Sequence, residues 1–288
     1  MENKELLDFN KNAGLKNFGN TCFMNSSLQL ILKIKELGIF LINNDFKDLK
    51  SFTKTFKDYY SLKTNVLGPL MLYNQYKELR KNKYKGNTQE DSHEYLVHVL
   101  DYLRDKFKEK LEKKEINKYL FEKYENYFTV EIEQSTFYKE TQKKSTTKFK
   151  DNIIILPKNK TDICFDDCFK RFISSNIDDN IEVNYKIISF PIYLIFTIKS
   201  VHYQGARLIK MSNDIIIPYE INISNRKYKL CCFIKHYGSA TGGHYVSYGK
   251  RKIDNNEKWF KYNDSVVTES NDHNDAKNKS YVFMFKKI

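Results

Sequence analysis

The chain has 288 residues, 41% of them hydrophobic, and a formal net charge of +13. That content suffices for one large domain or two small ones with a substantial core, and no run of eighteen apolar residues or apolar leader in MENKELLDFNKN predicts a membrane span or signal peptide. The charge comes almost wholly from lysine. The arginines (Arg80, Arg104, Arg171, Arg207, Arg226 and Arg251) are scattered, with no basic motif interleaved with aromatics, so no specific nucleic-acid partner is expected. Five cysteines without framework spacing predict reduced thiols, in the cytosol or nucleus.

The first informative stretch is Gly14 to Gln29, GLKNFGNTCFMNSSLQ. A turn rich in Gly and Asn (Gly14, Asn17, Gly19, Asn20) leads through the polar cap Thr21 into a helix carrying Phe23, Leu28, Ile31 and Leu32. Cys22 therefore starts a helix, where orphan N–H groups and the dipole favour thiolate over thiol. Those N–H groups and the Asn17 side-chain amide are placed to donate to an oxyanion beside the sulfur. A lone cysteine is more often a small buried hydrophobe. Here the flanking glycines, asparagines and cap favour a nucleophile.

Residues 22 to about 125 read mainly as helices. A polar region studded with Phe46, Phe52, Phe56, Tyr59 and Tyr60 follows the Cys helix, Gly68-Pro69 makes a break, and Leu70 to Lys81 reads as helix, ended by Gly86 and Asn87. Thr88 with Asp91 resembles a capping box, and Leu96, Val99, Leu100, Leu103 and Phe107 recur at helical spacing. The helix start in NTQEDSHEYL clusters Gln89, Glu90, Asp91 and Glu94; carboxylates there ordinarily complement the dipole. His93 and His98 read as solvated, and the mixed Lys and Glu from Arg104 to Glu125 as a solvated helical face.

From about Tyr127 the segments become short and strand-like: 128–133, 153–156 and 181–185, with DICFDDCFKRF between them reading as an amphipathic helical turn. Strands are expected at 193–198, 215–217, 230–234, 245–248, 259–262 and 281–285. Cys231 and Cys232 alternate across one of these and read as packing residues. Helices first and an antiparallel sheet last make the layout α+β. Of the six histidines, His244 follows the glycine-rich loop 238–243 at a strand edge, where a base can meet a substrate. Asn263 and Asp264, close after it in WFKYNDSVV, are two candidates for orienting its ring.

Three blocks in order, GLKNFGNTCFMNSSLQ, NTQEDSHEYL, and GGHYVSYG through WFKYNDSVV to SYVFMF, resemble the ubiquitin-specific proteases, papain-like cysteine peptidases that cleave bonds made by the C-terminus of ubiquitin. The resemblance implies one catalytic domain, 1–288, with a helical thumb (about 14–125), β fingers (about 126–186) and an antiparallel-sheet palm (about 187–288). It implies Cys22 as nucleophile, His244 as base, Asn263 as third member with Asp264 as a second carboxylate support, and Asn17 at the oxyanion. Gln89, Asp91 and Glu94, with Gly243 and Tyr245 beside His244, would take the basic ubiquitin tail, Asp91 and Glu94 matching the family's Gln-x-Asp-x-x-Glu pattern; carboxylates suit bidentate pairing with arginine.

Ubiquitin and ubiquitinated proteins are thus the implied partners. Many family members carry two Cys-x-x-Cys pairs for a zinc ion in the fingers. Here Thr136, Phe137, Tyr138 and Lys139 stand in place of the first pair, and Cys164 and Cys168 have Cys-x-x-x-Cys spacing with no second pair. No metal and no cofactor are expected. The altered fingers keep open the same chemistry on a ubiquitin-like modifier; a non-catalytic ubiquitin-binding module is the other reading, opposed by the intact Cys22, His244 and Asn263.

Overall fold

In the computed structural model Cys22–Leu32 is a helix, and all 11 of its residues are buried. A helix buried all round is normally apolar all round; this one carries Asn25, Ser26, Ser27 and Gln29, which tie it to several other segments. Asn25 Nδ2 donates to Asp264 Oδ1 at 2.7 Å. Ser27 Oγ donates to the Ser92 carbonyl at 2.7 Å, with Ser26 Oγ 3.0 Å from Ser92 Oγ. Gln29 donates to the Ala13 carbonyl at 2.8 Å and accepts from the Tyr59 hydroxyl at 3.0 Å. Burial of these polar groups is tolerable because, Asn25 Oδ1 apart, they are paired, and the pairing fixes the helix in one position.

The structure describes residues 7–8, 11–44, 46–61, 65–81, 88–178, 180–199, 201–204, 207–210, 214–239, 242–253 and 256–288. The chain forms two units, residues 1–117 with 234–274 and residues 118–233 with 275–288. The stretch expected as a palm, 187–288, is thus shared between them.

In the first unit the helices Lys35–Asn44, Lys50–Tyr60, Leu70–Leu79 and Ser92–Glu112 accompany the Cys helix, which packs on Ser92–Glu112 and on the strand Gly243–Ile253. That strand runs antiparallel to Asn256–Asn263, and this in turn to Val266–Glu269. A short parallel pair, Gly14–Leu15 with Val66–Leu67, lies just before the Cys loop. The aromatic-studded segment forms the helix Lys50–Tyr60, burying Phe52, Phe56, Tyr59 and Tyr60. Buried Arg251 donates to the Tyr59 hydroxyl at 2.9 Å and the Tyr262 hydroxyl at 3.4 Å, while Lys33 Nζ, at the end of the Cys helix, reaches the same Tyr262 hydroxyl at 3.0 Å. The helix expected to Lys81 ends at Leu79; Gly86 and Asn87 lie outside the described residues. His98 is not solvated: it packs on the Tyr76 ring at 5.3 Å, and burial pulls its pKa down.

In the second unit a four-stranded antiparallel sheet has the order 143–151, 130–138, 181–189, 174–178. Phe128 closes the helix Lys118–Phe128 and does not begin a strand. The edge strand Lys143–Asp151, KKSTTKFKD, is exposed at every residue. Its lysines suit an edge that must not recruit another chain. Beside this sheet Ile154–Pro157 runs parallel to Tyr193–Lys199, which is antiparallel to Val282–Lys287. The helix Phe165–Ile173 adds an aromatic cluster, with Phe165 edge-on to Phe196 at 5.2 Å and Phe172 stacked on Tyr185 at 5.2 Å. Asp167 caps it, accepting from the Ile163 and Cys164 amides at 3.0 and 3.1 Å. Cys168 is buried there, and burial pushes its thiol up to about 11.

The expected strand 215–217 is only a bridge between Ile216 and Cys164. Its backbone is satisfied by the end of the helix His273–Asn278: Ile215 and Ile217 donate to the main chain and side chain of Asn278, at 2.9 and 3.0 Å. Among the described residues no helix is long and apolar enough to cross a membrane.

Candidate active site

Every residue singled out for catalysis or tail binding falls in the first unit. Cys22 opens its helix after a loop organised by one side chain. Asn17 Oδ1 accepts from the Gly19 amide at 2.8 Å, the Thr21 amide at 3.2 Å and the Thr21 hydroxyl at 3.1 Å. Thr21 Oγ1 in turn accepts from the Phe18 amide at 2.9 Å and makes no cap bond to its own helix. Gly19 and Asn20 have positive φ, 95° and 54°, which explains a glycine and an asparagine there.

The second wall is the turn after Asn256–Asn263. Asn263 pairs with Val266, leaving Asp264 and Ser265 as the turn, with Asp264 at φ 51°. The Asp264 carbonyl accepts from the Leu15 amide at 2.8 Å. A Cβ on Gly14 would run into the Ser265 backbone, so only glycine permits this approach. The docked turn places the Asp264 carboxylate between two amides, with Oδ2 accepting from Asn17 at 2.8 Å and Oδ1 from Asn25 at 2.7 Å. Asp264, expected as a second support for the imidazole, has both oxygens on these asparagines. One N–H of the Asn17 amide is committed to it, and the amide carries a second.

His244 lies at the start of Gly243–Ile253, and its Nε2 meets Asn263 Oδ1 at 2.6 Å. With a carbonyl oxygen as partner, Nε2 carries the proton and Nδ1 is the ring's acceptor. The next residue turns towards Cys22: the Tyr245 backbone N–H lies close enough to the sulfur to favour its thiolate form. The Tyr245 ring is buried and packs tilted against the His236 ring, with centroids 4.4 Å apart.

The helix N-terminus was expected to favour thiolate. The net shift runs the other way: burial raises the Cys22 pKa, the Asp264 charge adds to the rise, and the N–H groups of Tyr245, Phe23 and Cys22 only partly offset it. Desolvation outweighs the dipole because the thiol is 2% exposed. The resting sulfur is a thiol that must give its proton to a base.

The acidic stretch separates into distinct roles. Asp91, and not Thr88, caps Ser92–Glu112, accepting from the His93 amide at 2.6 Å. Glu90 accepts from the Tyr76 hydroxyl, and Glu94 is exposed on the first turn. Gln89 reaches across to Gly243, accepting from its N–H at 2.7 Å and donating to its carbonyl. Of the glycine loop, residues 240 and 241 lie outside those described. Asn25 is the participant the sequence reading passed over; a polar residue within an otherwise apolar buried turn was the available signal. Among the described residues no cluster of His, Cys, Asp or Glu could hold a metal ion.

Residues 13–285 match the family model of ubiquitin carboxyl-terminal hydrolase. The chain is similar to Ubiquitin carboxyl-terminal hydrolase Usp2 of Drosophila melanogaster, 26% identical over 95% of this chain and 34% of that protein. It is also similar to the human Ubiquitin carboxyl-terminal hydrolase 26, 36% identical over 32% of this chain and 11% of that protein. The chain thus spans about a third or less of these two relatives' length. Among solved structures, the SAGA Ubp8/Sgf11/Sus1/Sgf73 DUB module bound to ubiquitin aldehyde matches with a TM-score of 0.79 at 20% identity, over 99% of this chain and 71% of that one. The same module bound to monoubiquitin gives 0.80. These matches show the papain-like α+β fold. With the family model matched nearly end to end, the chain belongs to the ubiquitin carboxyl-terminal hydrolase family.

Proposed function

We propose that this chain is a deubiquitinating cysteine protease, hydrolysing the peptide or isopeptide bond at the C-terminal glycine of ubiquitin. The observation that carries the reading is the His244 ring on Asn263 at 2.6 Å, at the start of the strand on which the Cys22 helix packs. His244 Nδ1 takes the thiol proton, and the sulfur attacks the glycine carbonyl carbon. The oxyanion is held by the Cys22 N–H and the second N–H of Asn17. The imidazolium then protonates the departing lysine amine as the C–N bond breaks, leaving a thioester. Water, deprotonated by His244, attacks the thioester and releases the ubiquitin carboxylate and the thiol.

Exposed Glu94 and half-buried Asp91 supply negative charge for a basic tail. The five free cysteines support a reducing compartment, cytosol or nucleus. The test is intact-mass analysis after mixing with ubiquitin that bears a C-terminal thiol-reactive electrophile, beside the same mixture with Cys22→Ala. One adduct on the native chain and none on the variant is the expected result. An adduct with a ubiquitin-like probe alone moves the specificity to that modifier, and an adduct surviving in the variant removes Cys22 as nucleophile.

A further inference from the structure

We propose that Gln89 is a positioning residue, which sets His244 by clamping the backbone of Gly243. The proposal rests on reading His244 as the general base. Two consecutive residues are each pinned by a different part of the chain. Gly243 is held through both its N–H and its carbonyl by the Gln89 carboxamide, and His244 through its ring by Asn263.

The Gln89 clamp is peptide-like. A carboxamide presents a donor and an acceptor side by side in one plane, so it pairs with one residue of a strand much as a neighbouring strand does. Gly243 is confined on a further side, since an added Cβ would meet the Tyr237 carbonyl oxygen and the His236 ring. Gln89 itself hangs two residues before Asp91, the cap of the helix docked through Ser92 onto the Cys helix. The clamp thus refers the residue before the base to the same helix that carries the nucleophile. While Gln89 is in place it occupies the Gly243 N–H and one acceptor position of its carbonyl, so its contribution is to geometry and not to tail affinity.

Without the clamp, His244 keeps its bond to Asn263 but loses the anchor on its N-terminal side. Misplacement of a catalytic group by about 1 Å costs on the order of a hundredfold. The experiment is Gln89→Ala in the full chain, with three readings: kcat and KM on ubiquitin carrying a C-terminal fluorogenic amide, ubiquitin affinity in a Cys22→Ala background, and hydrogen exchange over residues 242–248 without ubiquitin. The expected result is kcat lowered roughly 10- to 100-fold, affinity within about twofold, and faster exchange confined to that stretch. Weakened affinity with kcat retained would make Gln89 a tail-binding residue, and increased kcat would make it a latch; either overturns the proposal, as does unchanged exchange. If the native chain turns over no ubiquitin, the functional reading fails and the exchange measurement still decides the clamp.

Discussion

Replacing Asp264 with asparagine preserves shape while removing charge, and it pulls two observables in opposite directions. The carboxylate gives one oxygen to Asn17 at 2.8 Å and the other to Asn25 at 2.7 Å. An asparagine has one oxygen, so one of the two amides then faces an NH2 group. A hydrogen bond to a charged group is worth about 1.5–3 kcal/mol. If that loss falls on the oxyanion donor Asn17, kcat drops roughly 10- to 150-fold, at about 1.36 kcal/mol per tenfold. The same substitution removes a negative charge that raises the Cys22 pKa. Thiolate is disfavoured by a neighbouring anion, so without it the thiolate forms at lower pH. The assay pairs steady-state hydrolysis of a ubiquitin amide with the pH profile of Cys22 alkylation by iodoacetamide, followed by peptide mass. Asp264→Asn is expected to be slower in turnover, with its alkylation profile shifted to lower pH. Unchanged kcat, or a profile moved to higher pH, refutes this account of Asp264.

Three further outcomes follow from contacts elsewhere. A Cβ on Gly249 would collide with the Lys33 side chain, a flexible group; Gly249→Ala should lower the urea midpoint, and adding Lys33→Ala should recover most of the loss. Arg251→Met removes a charged donor from the Tyr59 hydroxyl, at about 1.5–3 kcal/mol, visible in equilibrium unfolding, while the Tyr262 hydroxyl keeps Lys33 Nζ. The Arg171 hydrogen bond holds Asp162 below the usual carboxylate range. That stabilisation is complete above the unfolded-state pKa of about 3.9 and disappears as pH falls through the folded value. Arg171→Met should therefore cost more at pH ~6 than at pH ~2, with the two denaturation curves converging in acid.

Helices with a regular apolar stripe, such as Ser92–Glu112 with Leu96, Val99, Leu100, Leu103 and Phe107 all buried, were legible because period and burial agree. The strand Lys143–Asp151 was not, since a fully exposed edge needs no alternation and its pairing with Val130–Tyr138 alone defines it. Residues 215–217 failed for the converse reason: an apolar triplet reads as a strand, yet only its two outer residues are buried and their amides go to Asn278. In the site, residue types near Cys22 and His244 announced the chemistry. The partners of Asp264 and the clamp of Gln89 span 247 and 154 residues, and no local pattern encodes a contact at that distance. The net rise of the Cys22 pKa was not legible, because the helix start that lowers it is visible in sequence while the depth of burial that outweighs it is a tertiary property.

Those long spans also set when chemistry becomes possible during synthesis. A ribosome delivers the thiol of Cys22 early and the ring of His244 late, and domains settle as their segments emerge. A nascent chain that has released the first five helices carries a nucleophile with no proton acceptor and an Asn17 with no carboxylate to orient it. Premature termination before Gly243 leaves a product unable to hydrolyse anything through this site. The order of residues along the chain thus keeps the proposed site incomplete until Asp264 has been synthesised.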